Sequence, residues 1–212
     1  MLQFNSALLA AVGSFAGDYA PYQSVHIRPH CGGVLLAASD HGKVTAVGFD
    51  RHGTAEEAIS ILPSSELLKA CAGIKTAERG ISIDGDTAIV TTYYKTSSNK
   101  GKELPIQRAV VPFPEIDGAL AACVERWGAT PALSETAGRY RVAYLERAIK
   151  AAGLLADSLV LSAFDGGPLR LQGESIELII LVMPQTAEPI PALPDWIQEF
   201  SRQNACQVLQ SG

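Results

Sequence analysis

The stretch GVLLAASDHGKVTAVGF, residues 33–49, decides the fold of this chain. Apolar runs at 33–38 and 44–49 flank the residues Ser39, Asp40, His41 and Gly42, which are of the types that favour turns. Apolar runs of this length, bounded by turn residues, predict two strands. Residues 33–49 therefore predict a pair of antiparallel strands joined by a short turn.

Predicted helices precede and follow this pair of strands. Apolar residues at helical spacing predict an amphipathic helix over 4–16. A serine in the capping position opens a second helix at 63–66. Shorter apolar runs at 23–27 and 58–62 predict two further strands. The first third of the chain thus alternates helices with short runs of strands.

The same order of a helix and several strands recurs toward the C-terminus. A turn at 84–86 predicts a hairpin of strands at 81–83 and 88–93, and residues 96–102 (TSSNKGK) are expected to form a polar loop. The remaining predicted elements, in chain order, are a strand at 104–111, a helix at 116–127, a strand at 139–143, a helix at 144–152 and strands at 158–164, 169–172 and 176–183. A helix-plus-strands unit that occurs three times predicts an α+β fold with helices on one face of antiparallel sheets.

Composition and charge limit the functions open to the chain. Its 212 residues, of which 47% are hydrophobic and 18% charged, are typical of a folded globular protein. With 17 basic and 22 acidic residues the net charge is −5, so any contact with nucleic acid must use a local basic patch. The four cysteines lie far apart, which indicates reduced thiols and a cytoplasmic protein. The apolar run at 176–183 is too short to span a membrane.

The sequence lacks the common patterns for catalysis, metal binding and cofactor binding. It has no Gly-x-Ser-x-Gly elbow, phosphate loop or dinucleotide fingerprint. His26, His30 and Cys31 are of metal-ligand type, but Pro29 is expected to break their strand, so their side chains should not converge. We therefore expect no catalytic residue, no metal and no cofactor. A small hydrolase or binding enzyme of another family stays open as an alternative.

Three stretches, in the right order, resemble the sliding-clamp family and in particular the processivity clamp of bacterial DNA polymerase III. The first is the helix FNSALLAAVGSF with the strands after it and the segment LAASDHGKV, residues 36–44. The second is the strand-to-helix entry ISILPSSELLK, residues 59–69. The third is LVMP, residues 181–184, at the end of the last predicted strand. Together the resemblance covers residues 4–184.

The resemblance implies a non-catalytic accessory protein of DNA replication that forms a homo-oligomeric ring around double-stranded DNA. A closed ring gives processivity without tight binding, so its inner helices need only enough positive charge to keep the DNA centred. The alternative is that such charges belong to an ordinary solvated helix surface. The candidates for the DNA-facing surface are Lys69, Lys75, Arg126, Arg147 and Lys150.

The resemblance also implies a pocket near the end of the last strand, where clamps bind a short peptide of DNA polymerase or of another partner. Methionine and leucine form an adaptable surface for aliphatic and aromatic anchors. The alternative is that Leu181 and Met183 are core residues and that the turn at 39–42 has no further role. Matched residue by residue, the pocket candidates are Ser39, Gly42, Lys43, Val44, Leu181, Met183 and Pro184.

The predicted units are a clamp-like domain at 1–114, a shortened second one at 115–184 and a proline-containing tail at 185–212. In the tail, Trp196, Ile197 and Phe200 could dock on the same or a neighbouring subunit; packing on its own domain is the alternative. The resemblance implies a ring of six domain equivalents. The chief alternative function is a clamp-fold scaffold for protein interactions that does not encircle DNA, which the acidic balance favours.

Overall fold

The computed structural model describes residues 1–72, 77–129, 136–163, 167–173, 177–189 and 194. In this part of the chain the helices are α1 (Ser6–Gly13), α2 (Ser65–Cys71), α3 (Asp117–Ala129) and α4 (Val142–Ala152). The strands, in chain order, are β1 (Leu2–Asn5), β2 (Val25–His30), β3 (Gly33–Asp40), β4 (Val44–Asp50), β5 (Thr54–Ala55), β6 (Ile59–Leu62), β7 (Glu78–Asp84), β8 (Thr87–Tyr93), β9 (Ser98–Pro105), β10 (Gln107–Arg108), β11 (Thr136–Arg139), β12 (Leu159–Ser162), β13 (Leu169–Gly173), β14 (Leu178–Val182) and β15 (Thr186–Pro189).

The strands form three antiparallel sheets, which confirms the predicted α+β class. The sheets have the orders β5-β1-β7-β8-β9, β10-β6-β2-β3-β4-β14-β13-β12 and β11-β15. The eight-stranded sheet joins distant parts of the chain, because β14 pairs with β4 from Val182↔Val44 to Leu178↔Gly48. We call this β4–β14 boundary the seam. It connects strands from the two predicted clamp-like parts.

Helix α1 is the centre of the core and is buried along its whole length. The Asn5 side chain caps it by accepting a hydrogen bond from the backbone N–H of Ala7 at 2.9 Å. The helix contacts β2, β3, β4 and β7 and is flanked by α2 and α4, so all eight of its residues are buried. The sequence SALLAAVG fits this position because it contains no charged residue. The observed helix is therefore shorter than the predicted one over 4–16, and it is buried on every side rather than amphipathic.

Helices α1 and α4 lie on the same face of the eight-stranded sheet. A Cβ atom on Gly48 of β4 would be 3.0 Å from the side chains of Leu8 and Val12, so this face of β4 is in contact with α1. Across the seam, α4 contacts β13 and β14 and also touches α1. The two helices thus form one layer over the seam.

Helix α3 lies on the opposite face of that sheet. Arg28 of β2 donates a hydrogen bond to Asp117 at 2.6 Å, and the guanidinium carbon of Arg170 on β13 is 4.8 Å from the centroid of the Trp127 ring. Both arginines alternate with buried residues that face α1 and α4. The 13 residues of α3 span about 20 Å, and the four strand spacings from β2 to β13 span about 19 Å. Helix α3 therefore crosses the strands from β2 to β13 on the face opposite α1 and α4.

Two of the observed strands, β9 and β1, differ from the prediction. The predicted loop at 96–102 is a strand from Ser98 onward, because β9 begins there and pairs with β8, as in Tyr93↔Ser98. The polar sequence SNKGK has low strand propensity, and its strand depends on the edge that β8 offers. Strand β1 was not predicted, because LQFN is too short for a period-2 pattern and is defined by pairing with β7 from Leu2↔Ile83 to Asn5↔Gly80.

Two boundaries also differ from those expected. Strand β2 continues through Pro29 to His30, and the chain reverses at Cys31 and Gly32, whose φ angles are +46° and +79°. The predicted strand at 139–143 ends at Arg139, because Arg141 is the N-cap of α4 and the helix begins at Val142. Proline is tolerated in β2 because β6 pairs only with Val25–Ile27, so Pro29 lies where β2 has an open edge.

Candidate functional site

The seven residues predicted to form a partner pocket lie together at one end of the seam. Val182 pairs with Val44, and the backbone N–H of Met183 donates to the carbonyl of Lys43 at 2.9 Å. The turn from β3 to β4 is closed by the N–H of Lys43, which donates to the carbonyl of Asp40 at 2.9 Å. We call the group the seam-end site; it consists of Ser39, Gly42, Lys43, Val44, Leu181, Met183 and Pro184.

Only part of the seam-end site is open to a partner. Val44, Ser39 and Leu181 are buried, with exposed fractions of 0%, 1% and 6%. Met183 is 45% exposed, Lys43 is exposed and Pro184 is half-buried. A partner could therefore contact a thioether, a proline ring and one ammonium group, while the buried residues support them.

Hydrogen bonds of Ser39 hold the turn of the seam-end site in shape. Its hydroxyl lies 3.1 Å from the carbonyl oxygen of Val44 and accepts the N–H of Gly42 at 3.0 Å. It also shares a hydrogen bond of 2.9 Å with the hydroxyl of Thr45. Gly42 has a φ of +71°, a backbone conformation that costs glycine little. Ser39 therefore acts on the shape of the site from inside.

An aromatic cluster packs beside the turn. The ring of His41 contacts both Tyr19 and Tyr22, with centroid distances of 4.1 Å and 5.4 Å. Its Nδ1 is 3.5 Å from a carboxylate oxygen of Asp40. His41 has a φ of +52°, which is unusual for a residue other than glycine, and its contacts with the two tyrosine rings support this backbone conformation. No sequence pattern signals this cluster, because Tyr19 and Tyr22 precede the strands that the turn connects.

Arg147 connects helix α4 to the same turn. Its guanidinium donates to Asp40 at 2.6 Å and to the carbonyl of Ser14 at 3.4 Å. The guanidinium carbon also lies 5.4 Å from the ring centroids of Phe15 and Tyr144. Asp40 and Arg147 are 19% and 27% exposed, so the pair is mostly shielded from solvent. The predicted DNA-facing arginine is thus bound within the molecule at the base of the seam-end site.

The predicted DNA-facing residues that the structure describes belong to three helices. Lys150 donates to Glu146 at 2.7 Å on the exposed side of α4, beside a cleft of about 470 Å³ that Arg147 also lines. Lys69 is exposed on α2. Arg126 belongs to α3, on the other face of the sheet, and is described by its backbone alone. Lys75 lies outside the described residues.

Of the three residues of metal-ligand type at 26–31, His30 and Cys31 contact each other and His26 has a different partner. Nδ1 of His26 lies 3.0 Å from the hydroxyl of Ser60, and Nε2 of His30 lies 3.4 Å from the sulfur of Cys31. Among the described residues, no group of three or more His, Cys, Asp and Glu side chains could hold a metal ion. None of the helices in the described ranges combines the length and apolar character needed to cross a membrane.

The cysteines differ in their exposure to solvent. Cys31 is exposed, Cys71 is buried and Cys123 is half-buried, and Cys206 lies outside the described residues. Burial raises the pKa of the Cys71 thiol to about 12. The Cys71 carbonyl accepts a hydrogen bond from the hydroxyl of Ser6 at 3.0 Å, which ties α2 to α1. Cys71 is therefore a core residue without thiolate chemistry near neutral pH.

Comparison with known proteins finds similar solved structures but no similar sequence. No protein-family model and no curated protein matches the sequence. Among solved structures, PCNA from Thermococcus kodakaraensis matches with a TM-score of 0.53 and 16% identity over 87% of this chain and 100% of that chain. Proliferating Cellular Nuclear Antigen from Entamoeba histolytica matches at 0.51 and 14%, over 87% of this chain and 98% of that chain.

A bacterial structure matches as well. The DNA polymerase III beta subunit from Thermotoga maritima gives a TM-score of 0.51 and 10% identity, over 93% of this chain and 67% of that chain. Identities this low carry information about the fold alone. The predicted resemblance is confirmed at that level: the chain has the fold of the sliding clamps.

Proposed function

We propose that this chain is a non-catalytic, cytoplasmic accessory protein of DNA replication. It assembles with copies of itself into a ring around double-stranded DNA, needs no cofactor and binds peptides of DNA polymerase or of other clamp-binding proteins. Residues 1–114 and 115–184 are its clamp-like units and residues 185–212 its tail. The proposal joins the sliding-clamp fold to the sheet edges, the basic helix residues and the seam-end site.

The observation that carries the proposal is the eight-stranded sheet with two open ends. In the described part of the chain, β10 at one end and β12 at the other each pair with one strand only. Val160 and Leu161 of β12 are 55% and 58% exposed, and Val110 beside β10 is 97% exposed. Unpaired edges with exposed apolar residues favour pairing with another chain. Repeated from copy to copy, such pairing supports a closed ring.

The charge on the helices supports weak contact with DNA. Lys69 and Lys150 are exposed, and Arg147 lies at the edge of the cleft beside α4. Lys75 and Arg126 remain in the proposal as further basic groups. Helix α1 is buried and contains no charged residue, so it does not contribute to this contact. A few lysines suffice for sliding, because each additional phosphate contact strengthens the dependence of binding on salt and slows movement.

The seam-end site supports peptide binding. Met183 and Pro184 offer an apolar contact, and Lys43 offers a cation for an acidic group of the peptide. Ser39, Gly42, Val44 and Leu181 maintain the shape of the turn and the strand ends below them. Strand ends with fixed backbones are suited to binding extended segments.

A scaffold that does not encircle DNA is the second candidate function. Specific observations favour it: the net charge is −5, α1 lacks basic residues, and both Arg147 and Lys150 contact carboxylates within the chain. The two candidates share the fold and the seam-end site. They differ in whether the protein is retained on DNA by topology.

The deciding experiment is the solution mass from light scattering, measured alone and with closed circular or linear duplex DNA. A ring predicts a discrete oligomer that stays on circular DNA and is lost from linear DNA through its ends. Blocking the ends of the linear DNA with bound protein should restore retention. A monomer, or an oligomer that treats the two DNAs alike, would favour the scaffold.

Peptide docking has its own prediction. Met183→Asp places a charge at the apolar contact, so it should weaken binding of a labelled peptide with glutamine, aliphatic and aromatic anchors by at least about tenfold, or 1.4 kcal/mol. Val124→Asp on α3 is the matched control, because Val124 is 61% exposed and does not belong to the seam-end site. Equal binding by both variants in fluorescence anisotropy would exclude Met183 from the docking surface.

A further inference from the structure

The outer half of the β8–β9 hairpin carries basic and neutral residues only. Residues 91–102, TTYYKTSSNKGK, contain three lysines and no acidic residue in a chain whose net charge is −5. The two strands pair through Thr91↔Lys100 and Tyr93↔Ser98. At the tip, the N–H of Tyr94 donates to the carbonyl of Ser97 at 2.7 Å. We call residues 91–102 the basic ribbon.

Aromatic rings and ammonium groups of the basic ribbon are open to solvent together. Tyr93 and Tyr94 are 49% and 48% exposed, and Lys95, Lys100 and Lys102 are exposed. In the part of the chain that the structure describes, none of the three lysines forms a salt bridge. The ribbon therefore offers three cations without a described ion pair beside two stacking surfaces.

The register of the ribbon places one ring and one cation on the same face. Directly opposite residues of an antiparallel pair share a face, and so do residues two apart on one strand. Lys100 is opposite Thr91, and Thr91 is two residues from Tyr93. The Tyr93 ring packs over Gly80 of β7, where an added Cβ would be 3.1 Å from the ring. Tyr93 is thus held in position on the face that Lys100 shares.

We propose that the basic ribbon binds single-stranded nucleic acid, with phosphates at the lysines and unpaired bases on Tyr93 and Tyr94. Proteins that bind single strands without sequence preference combine a positively charged track with aromatic side chains on which bases stack. Both components are present here within twelve residues, counted from 91 to 102. The site goes beyond the proposed contact of helices with duplex DNA and does not depend on it.

Two alternative roles of the ribbon account for less of its surface. Lysines on an edge strand discourage pairing with other chains, and β9 is an edge strand, but this role does not involve the two half-exposed tyrosines. A two-stranded ribbon can also enter the major groove of a duplex. Bases in a duplex are already stacked on each other, however, so the tyrosine faces would have no partner there.

The charge component is tested with a fluorescent oligothymidine of about 20 nucleotides, longer than the about 4–16 that a single binding module covers. Lys100→Glu should weaken binding at least about fivefold and reduce the magnitude of the salt slope by about 0.7, the value for one phosphate on a single strand. Arg51→Glu is the charge-matched control, since Arg51 is exposed and outside the ribbon. Equal losses in the two variants would overturn the proposal.

The stacking component is tested in the same anisotropy titration. Tyr94→Ala should weaken binding at least about fivefold, whereas Tyr94→Phe keeps the ring and should bind like the wild type. If a duplex of the same length binds as tightly and Tyr94→Ala has no effect, the ribbon is a duplex contact and the proposal fails. Retention of Lys100→Glu on circular duplex DNA is measured as well. Because retention tests the ring and not the ribbon, a failure of the ribbon proposal can be told apart from a failure of the ring proposal.

Discussion

Asp40 shows how one residue can serve the fold and the candidate site together. Its backbone closes the turn at the seam-end site, and its carboxylate binds Arg147 of α4 at 2.6 Å. The sequence predicted Asp40 as a turn residue, because aspartate favours turns, and Arg147 as a helix residue. Their contact could not be predicted, since nothing local relates two residues that lie in distant elements.

The Asp40–Arg147 pair should contribute measurably to stability. Asp40→Asn removes the charge from a pair that is mostly shielded, so the free energy of unfolding should fall by about 1–3 kcal/mol. Glu146→Gln on the same helix breaks an ion pair whose members are 61% and 74% exposed, and it should change stability little. Urea denaturation of both variants checks this; equal effects would mean that shielding does not strengthen the Asp40 pair.

His26 should make the stability depend on pH. Burial and, to a smaller extent, Arg28 lower the pKa of His26, while Asp117 acts in the opposite sense. Its ring stacks parallel to Phe113 with centroids 5.8 Å apart. With a lowered pKa in the folded state, the unfolded chain binds more protons, so stability falls as the pH drops through the ordinary histidine pKa of about 6.5.

The His26 effect is measured by urea denaturation between about pH 7 and about pH 5, a range that spans the ordinary histidine pKa. His26→Gln keeps a side chain able to bond to Ser60 but cannot titrate in this range. The loss of stability on acidification should therefore be smaller in the variant than in the wild type. If the two lose the same amount, His26 is not the source of the pH dependence.

At the scale of elements, the predictable strands are those that are buried. The β3–β4 pair was predicted close to its observed bounds because apolar runs flank a turn whose residue types are distinctive. Strand β9 was not predicted, because six of its eight residues, 98–103, are exposed and polar or glycine, and its existence depends on β8. Helix α1 was predicted in place, but its complete burial depends on α2 and α4, which a local pattern does not reveal.

Helix α1 should tolerate truncation of its side chains poorly. Leu9 is 0% exposed, so Leu9→Ala should lower the free energy of unfolding by about 2–5 kcal/mol through lost burial and a cavity. Val142→Ala at the start of α4 is the control, because Val142 is 78% exposed and its truncation should stay within about 0.5 kcal/mol. A small effect at Leu9 would contradict the central position of α1.

At the scale of the whole molecule, the open ends of the eight-stranded sheet are the edges that the proposed ring would use. The sequence predicted the fold class and the clamp resemblance, and the structural likeness to PCNA and to the beta subunit confirms both. The seam could not be predicted, since pairing of β4 with β14 follows from the packing of α1 and α4 over both strands.

Assembly through β12 predicts a variant that folds but stays monomeric. Leu161→Lys adds a charge to the edge of the sheet at a residue that is 58% exposed, so it should oppose strand pairing between chains without disturbing the core. Val124→Lys on α3 has a similarly exposed starting residue and should keep the wild-type mass. Light scattering reads out both, with circular dichroism to check folding; an unchanged oligomer in Leu161→Lys would place the interface elsewhere.

The seam also has a consequence for the order in which the chain is made. A ribosome completes residues 44–50 long before residues 178–182 emerge, so β4 has an open edge for much of synthesis. During that interval the nascent first half can pair wrongly with other chains. We therefore expect that nascent chains stalled before residue 178 need chaperones more than finished ones, because β14 is the strand that closes the edge of β4.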